Sequence, residues 1–447
     1  MCNKINITPK LTIEGEDRTL GAVLLGAPYS RKRESVMLPM IQQDIQSKPM
    51  MGVAVFDTDG IPTQAAARCA RESGRPYVLL DPRMEWCPFF NPLIGDENEV
   101  FEDLRTVVSE YLPDLSPSLR ALNESLLSNA IKVLKRLDKA EGVNGRYATF
   151  INMNTVLQNP SQDGRKLVIR FGQLKGETDA EQKENSDIAS WFINEYYAER
   201  SKPFEQTACL RLLLGKLISE PHLRTVLNPD FDKGQVSEVD FDRLVSDNCI
   251  ICVSAAKPTL GSLSRFFGLL ALLKYRRPML RMGEPRRARV LYVDEFQEFA
   301  APELVDLFTY AYRSKLAATI SLQSWSQVDR GGILYKQTKE TLASNLRNAL
   351  IFAGASKEDA WRYAERLGDV DYQEPKDIAN TILGLSLKCF GYSLMCQGSP
   401  QRFGTTKAGE DVLPGSTVFH NPLAEEPRVY DDLAGEPLVD DDWSSNI

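Results

Sequence analysis

Histidine is almost missing from this chain of 447 residues: there are two, His222 and His420, in unrelated contexts. That scarcity argues against a zinc centre and against a nucleophile primed by an imidazole base. Long hydrophobic runs are missing as well. No stretch reaches the roughly 18 apolar residues that spanning a bilayer requires, and the longest, Phe266-Phe-Gly-Leu-Leu-Ala-Leu-Leu, suits a buried helix. The opening Met1-Cys-Asn-Lys-Ile-Asn is polar and lacks the apolar core of a signal peptide. The expectation is a cytoplasmic chain with no membrane anchor of its own. Internal repeats and low-complexity tracts are also absent. The eight cysteines form no framework; most sit within apolar runs, as reduced thiols acting as small hydrophobes do. Cys249 and Cys252 make a C-x-x-C, but inside Asn248-Cys-Ile-Ile-Cys-Val, which reads as a strand rather than the turn or helix start of a redox or metal pair.

What is present describes a globular protein. Hydrophobic residues make up 43% and charged residues 26%, and the length suggests two domains rather than one core. The net charge of −8 is concentrated in the last 24 residues, 424–447. Eight acidic residues there (Glu425, Glu426, Asp431, Asp432, Glu436, Asp440, Asp441, Asp442) face one base, Arg428, leaving the rest of the chain near −1. The acidic balance therefore says little against nucleic-acid binding by the body. The tail reads either as a flexible interaction segment with Tyr430 and Trp443 as anchors, or as a solvated terminus.

Short apolar, β-branched runs ending in turn signals recur along the chain: Gly21-Ala-Val-Leu-Leu-Gly, Gly52-Val-Ala-Val-Phe-Asp, Tyr77-Val-Leu-Leu-Asp, Cys249-Ile-Ile-Cys-Val-Ser, Val290-Leu-Tyr-Val-Asp-Glu, Ala318-Thr-Ile-Ser-Leu-Gln and Ala349-Leu-Ile-Phe-Ala-Gly. Runs that are apolar throughout predict strands buried on both faces, hence a parallel sheet covered by helices and an α/β fold. Between the third and fourth runs, helical periodicity dominates over 98–112, 117–137, 186–199 and 207–218. The polar stretch 176–186 reads as an exposed loop. The predicted organisation is a discontinuous α/β domain, 1–96 and 239–423, an all-α insertion over 97–238, and the tail 424–447.

The strongest local signal is Val290-Leu-Tyr-Val-Asp-Glu-Phe, a hydrophobic strand ending in adjacent carboxylates. In a Walker B arrangement the first, Asp294, holds Mg2+ through its water shell, and the second, Glu295, polarises the water that attacks the γ-phosphate. After an intervening helix (302–314), Gln323 falls at the tip of the next strand, where a polar residue senses that phosphate. The first strand should lead into a phosphate loop of the form G-x-x-x-x-G-K-[ST]. The chain offers Gly26-Ala-Pro-Tyr-Ser-Arg-Lys32-Arg-Glu: Gly26 and Lys32 fall in place, while Arg31 replaces the inner glycine and Arg33 the metal-binding hydroxyl. Glycine matters there because the loop wraps its N–H groups around phosphate with φ > 0. Gly26, Ser30, Arg31, Lys32 and Arg33 are the candidate nucleotide-binding residues. A basic stretch (Lys274, Arg276, Arg277, Arg281, Arg286, Arg287, Arg289), with Pro278, Gly283 and Pro285 marking a loop, would meet DNA phosphates, a neighbouring subunit or the acidic tail, or simply be solvated.

In this order the motifs resemble the type IV coupling proteins, the TraG/TraD-type ATPases of conjugation and type IV secretion within the FtsK/HerA superfamily. The resemblance covers roughly residues 20–371. It includes Asp57-Thr-Asp-Gly60, where the family has Asp-Pro-Lys-Gly, then Phe90-Asn-Pro-Leu93, the helical insertion, Phe241-Asp-Arg-Leu-Val, the Asp294-Glu295 strand, and Leu367-Gly368 closing a helix after the 348–353 strand. It implies a RecA-like P-loop NTPase that binds ATP with Mg2+. Such a motor assembles into a hexameric ring, homo- or hetero-, and delivers DNA, a relaxase–DNA complex or protein to a type IV secretion channel. By matching positions Asp294 is the metal-associated carboxylate, Glu295 the base, Gln323 the sensor and Lys32 the phosphate contact. The departures are the damaged phosphate loop, Asp59 in place of a lysine, no membrane anchor (so that channel docking needs a partner), and Phe352-Ala-Gly where the family often has arginine; Arg347 reads as a trans-acting finger or a solvated arginine. Three functions follow as alternatives: a DNA-transfer ATPase, a noncatalytic coupling-type adaptor, or a HerA-like translocase in defence or repair.

Overall fold

The computed structural model describes residues 2–8, 11–112, 115–158, 162–281, 287–371, 374–387, 389–396, 399–400 and 404–407. The acidic tail, His420, Gly283, Pro285 and Arg286 lie outside the described residues. The strands are β1 (Ile5–Thr8), β2 (Leu11–Ile13), β3 (Ala22–Leu25), β4 (Gly52–Asp57), β5 (Tyr77–Leu80), β6 (Ile250–Ser254), β7 (Arg289–Val293), β8 (Leu316–Leu322), β9 (Asn348–Phe352), β10 (Cys389–Ser393), β11 (Met395–Cys396), β12 (Ser399–Pro400) and β13 (Gly404–Lys407).

One sheet of nine strands dominates, in the order β13-β10-β9-β3-β8-β7-β4-β6-β5. All seven strands expected from the sequence lie in it, and every pairing from β9 to β5 is parallel. β10 and β13 extend it antiparallel beyond β9; together with the β1–β2 hairpin they were not anticipated. The continuous apolar runs are explained by burial on both faces. Val23, Leu25, Ala54, Phe56, Leu291 and Val293 join one core, while the alternate residues Leu24, Val53, Val55, Val290 and Tyr292 join the other. The first core is covered by the helix Leu263–Arg281, in which the expected apolar run is buried, and by the helical segment that follows β5. The second is covered by the helices Leu38–Gln46 and Ile61–Glu72. Arg18, Asp44 and Tyr292 form a buried polar contact that ties the amino-terminal segment to β7.

Between β5 and β6 the described residues contain helices and no strand. These helices carry local stop and start signals. Asp96 caps Glu97–Ser109 by accepting from the N–H groups of Asn98 (2.9 Å) and Glu99 (3.1 Å). Pro117–Glu141 begins with Ser116 and a proline and ends at Gly142, φ 65°. The stretch 176–186 is not a loop: Asp179–Trp191 is helical, because Thr178 accepts from the Glu181 N–H while the Glu181 carboxylate accepts from the Glu177 N–H, a reciprocal cap that polarity alone concealed. The expected 302–314 helix is broken into a short 3-10 turn, Pro302–Leu304, and one α-helical segment, Val305–Thr309. The helix after β9 runs through Leu367-Gly368 to Asp371.

The basic stretch is also corrected. Its first half is the end of the helix Leu263–Arg281, which passes through Pro278. Arg277 and Lys274 are spent on Asp103, Arg281 on Asp242 and Glu99, and Arg276 on Asp306. Those four charges hold helices together rather than offering themselves to DNA. Cys249 and Cys252 are buried in and beside β6, and burial raises both thiols far above their ordinary range, as inert core cysteines require.

Candidate functional site

In a parallel sheet covered on both faces, the edge free for chemistry is the one at the carboxyl ends of the strands. The loops after β3, β4, β7 and β8 meet there. β3 runs into Gly26, whose N–H donates to Leu322 O of β8 (3.1 Å), and the next N–H, of Ala27, donates to Ala353 O beyond β9 (3.1 Å). A side chain at Gly26 would put Cβ 2.6 Å from Phe352 Cβ, so this glycine is required by the close approach of β9. The loop then takes two left-handed residues, Tyr29 (φ 63°) and Arg31 (φ 64°). Arg31 thus holds the inner-glycine position of the motif in the backbone conformation a glycine would supply, although a side chain there costs about 1–2 kcal/mol. Its own side chain is exposed. Ser30, between the two, is buried with its hydroxyl unpartnered among the described residues. Lys32 is buried and turns inward: Nζ donates to Gly26 O (3.2 Å) and lies 3.5 Å from Glu295 Oε1.

β7 delivers the two carboxylates. The Asp294 N–H donates to Phe56 O of β4 (2.9 Å), and Oδ1 accepts from the Ser321 hydroxyl of β8. Burial pushes the Asp294 carboxyl up, and the adjacent Arg33 and the Ser321 bond offset this only in part. Glu295 sits at φ 51°, its N–H donating to Ser321 Oγ (3.0 Å). Its Oε2 accepts from Gln323 Nε2 (2.7 Å) and from Gln297 Nε2 (2.6 Å). The structure therefore brings Lys32, Asp294, Glu295 and Gln323 together as the motif order implies. Ser321 and Gln297, which complete the cluster, were not picked out from sequence. Ser321 could have been found as one of the two hydroxyl residues, with Thr319, inside an otherwise apolar strand; Gln297 carries no such signal.

Arg33 decides the character of the site. Its Nε and Nη2 lie 2.6 and 2.5 Å from Asp294 Oδ2, and Nη1 lies 2.8 Å from Asp59 Oδ2. Burial works against this guanidinium, but Asp294 and Asp59 outweigh it and hold Arg33 charged. Asp59 comes from the turn after β4, which Asp57 shapes: its buried carboxylate accepts from the N–H groups of Gly60 (2.9 Å) and Thr63 (2.8 Å) and from Thr63 Oγ1 (2.8 Å). Burial, then the neighbouring Asp59, pushes Asp57 up to about 7.

These residues do not fit Mg2+ bound in the usual way. The oxygen that would face the metal shell, Asp294 Oδ2, is held by a guanidinium, and the hydroxyl that would ligate the ion is replaced by that same arginine. Phosphate would also meet an unfavourable balance, since Lys32 and Arg33 face three carboxylates, Asp59, Asp294 and Glu295. Beside Glu295 opens a polar cleft of about 420 Å3, lined among others by Thr58, Lys257, Gln323, Gln327 and Arg330. Arg347 is exposed at the opposite, amino end of β9, where its N–H donates to Leu20 O (2.9 Å).

Residues 289–381 match the family model described as the TraM recognition site of TraD and TraG. No curated protein sequence matches the chain. Among solved structures the fold is similar to the plasmid coupling protein TrwB in complex with ADP and Mg2+ (TM-score 0.60, 13% identity, 88% of this chain and 86% of that one). The complex of the same protein with the non-hydrolysable GTP analogue GDPNP is similar to the same degree (0.59, 12%, 89% and 88%). VirB4 of Thermoanaerobacter pseudethanolicus is also similar (0.52, 13%, 88% and 90%). At such identities the structural likeness shows the fold alone, a RecA-like α/β architecture. No helix among the described residues is long and apolar enough to cross a membrane.

Proposed function

We propose that this chain belongs with the TraD/TraG-type type IV coupling proteins, and that within that family it is a noncatalytic coupling-type adaptor of conjugation or type IV secretion. In this reading it recruits DNA, a relaxase–DNA complex or a protein substrate and presents it to the channel, docking through a partner and assembling in a homo- or mixed hexameric ring. The exposed positions within residues 289–381, the stretch matched to a TraM recognition site, are the surface proposed for a TraM-type partner. The observation that carries the noncatalytic reading is the Arg33 guanidinium on Asp294 Oδ2, where a working site needs its metal. A second reading, the ATP-driven motor, draws support from Lys32, Glu295 and Gln323, which stand together as that chemistry requires.

Purified protein assayed for Mg·ATP turnover, with and without DNA, separates the two. The adaptor retains DNA or partner binding and shows no turnover above that of Glu295→Gln. Turnover that Glu295→Gln abolishes establishes the motor and removes the adaptor.

A further inference from the structure

The two residues that depart most from the expected site are in contact with each other, and they depart in opposite directions of charge. Arg33 stands where the phosphate loop needs a hydroxyl for the metal, and Asp59 stands in the neighbouring turn after β4, 2.8 Å from Arg33 Nη1. From this we infer that Arg33 and Asp59 are a specificity-determining pair that makes a resident guanidinium the counter-ion of Asp294, and so excludes metal–nucleotide from the site. The inference rests on the noncatalytic reading and states its physical cause.

Three features carry it. Arg33 spans the gap that a metal ion would span, joining the first turn after the phosphate loop to the tip of β7 through two contacts on one oxygen, Asp294 Oδ2. Asp59 then balances the guanidinium, so the arginine has both carboxylate partners without any ligand. The loop, finally, keeps its phosphate-binding shape without a glycine inside it, with left-handed Tyr29 and Arg31 and inward Lys32. Here Lys32 on Gly26 O closes the loop on itself, and Arg33 on Asp294 ties its end to the tip of β7.

The consequence is that the exclusion is local and reversible by two substitutions. Arg33→Thr restores a hydroxyl and frees Asp294, while Asp59→Asn removes the carboxylate that would be left without its partner. The probe is Mg·ADP, followed by calorimetry and by thermal shift on the full chain, for wild type and for Arg33→Thr/Asp59→Asn. Wild type is expected to bind ADP no better with Mg2+ than with EDTA, and the double variant to gain at least about tenfold in Mg·ADP affinity, a change well within what one charge-assisted contact supplies. A folded double variant that stays blind to Mg·ADP, with wild type inert, overturns this inference and leaves the adaptor standing. Should the double variant not fold, the wild-type comparison decides alone: Mg2+-dependent strengthening of ADP binding overturns the inference, and its absence supports it. ATP turnover by wild type removes both readings together.

Discussion

Replacing Arg33 by methionine keeps most of the side-chain stem and removes the guanidinium, so it isolates the charge. Asp294 is then left buried with only the Ser321 hydroxyl and its surroundings to satisfy it. Breaking a fully buried ion pair from one side costs about 3–5 kcal/mol. The Arg33 side chain is 17% exposed, so water relieves part of this and about 2–4 kcal/mol is expected. The bond to Asp59, whose side chain is 29% exposed, contributes about 0–1 kcal/mol of that. Asp59→Asn should therefore cost far less than Arg33→Met, although both remove a partner of the same network. The sign with pH follows from Asp294. Burial already raises its carboxyl and Arg33 is the largest influence holding it down; without Arg33 it rises further, so the penalty is greatest at neutral pH and shrinks at acid pH as the group is protonated. Urea unfolding followed by circular dichroism at both pH values measures this. Equal losses for the two variants, or an Arg33→Met loss below about 1 kcal/mol, would refute the assignment of Arg33 as the counter-ion of Asp294.

Three further outcomes are expected. Because the folded state raises Asp57 from 3.8 to about 7, its contribution is complete below about pH 4 and is lost as pH rises through about 7, amounting to at most about 4 kcal/mol. Stability should accordingly decline across that window in wild type and less steeply in Asp57→Asn, and identical slopes in denaturant melts would contradict this. Arg265→Met strips donors from Glu110 Oε2 (2.6 Å) and from the carbonyls of Glu298 (2.6 Å) and Ala300 (2.5 Å). This buried pair joins the helical segment to the residues just after β7, so a loss of about 3–5 kcal/mol is expected in urea unfolding; a loss below about 1 kcal/mol would show the network to be dispensable. Gly26→Ala forces Cβ to within 2.6 Å of Phe352 Cβ and should cost about 1–3 kcal/mol by overpacking, visible as a lower thermal midpoint even without ligand; an unchanged midpoint would mean that β9 yields.

Much of the architecture could be read from local pattern. Short, β-branched apolar runs bounded by turn signals read as strands covered on both faces, and all seven entered the sheet. Asp294, Glu295 and Gln323 were legible because each sits at the end of such a run, and strand ends in a parallel sheet share one edge. Lys32 was legible from its spacing to Gly26. The helix at 179–191 was not, since its start depends on a two-residue exchange of caps rather than on periodicity. Nor were β10 and β13, whose antiparallel pairing beyond β9 adds strands that short polar-interrupted segments do not announce.

The sequence by itself determined the sheet, its two buried faces and the gathering of site residues at one edge, because hydrophobic burial acts on each segment through its own pattern. It also determined that the segment after β3 departs from the phosphate-loop motif. What the alteration means was decided by tertiary structure. Arg33 reads in sequence as an added cation near phosphate, yet Asp59 and Asp294, which come from the ends of other strands, claim it. The basic residues 274–281 read as a loop either solvated or free to meet DNA, a neighbouring subunit or the acidic tail, yet carboxylates of other helices take them. The physical reason is the same in both cases: a charge acts on whatever lies within a few ångströms, and the sequence order does not say which residues those are.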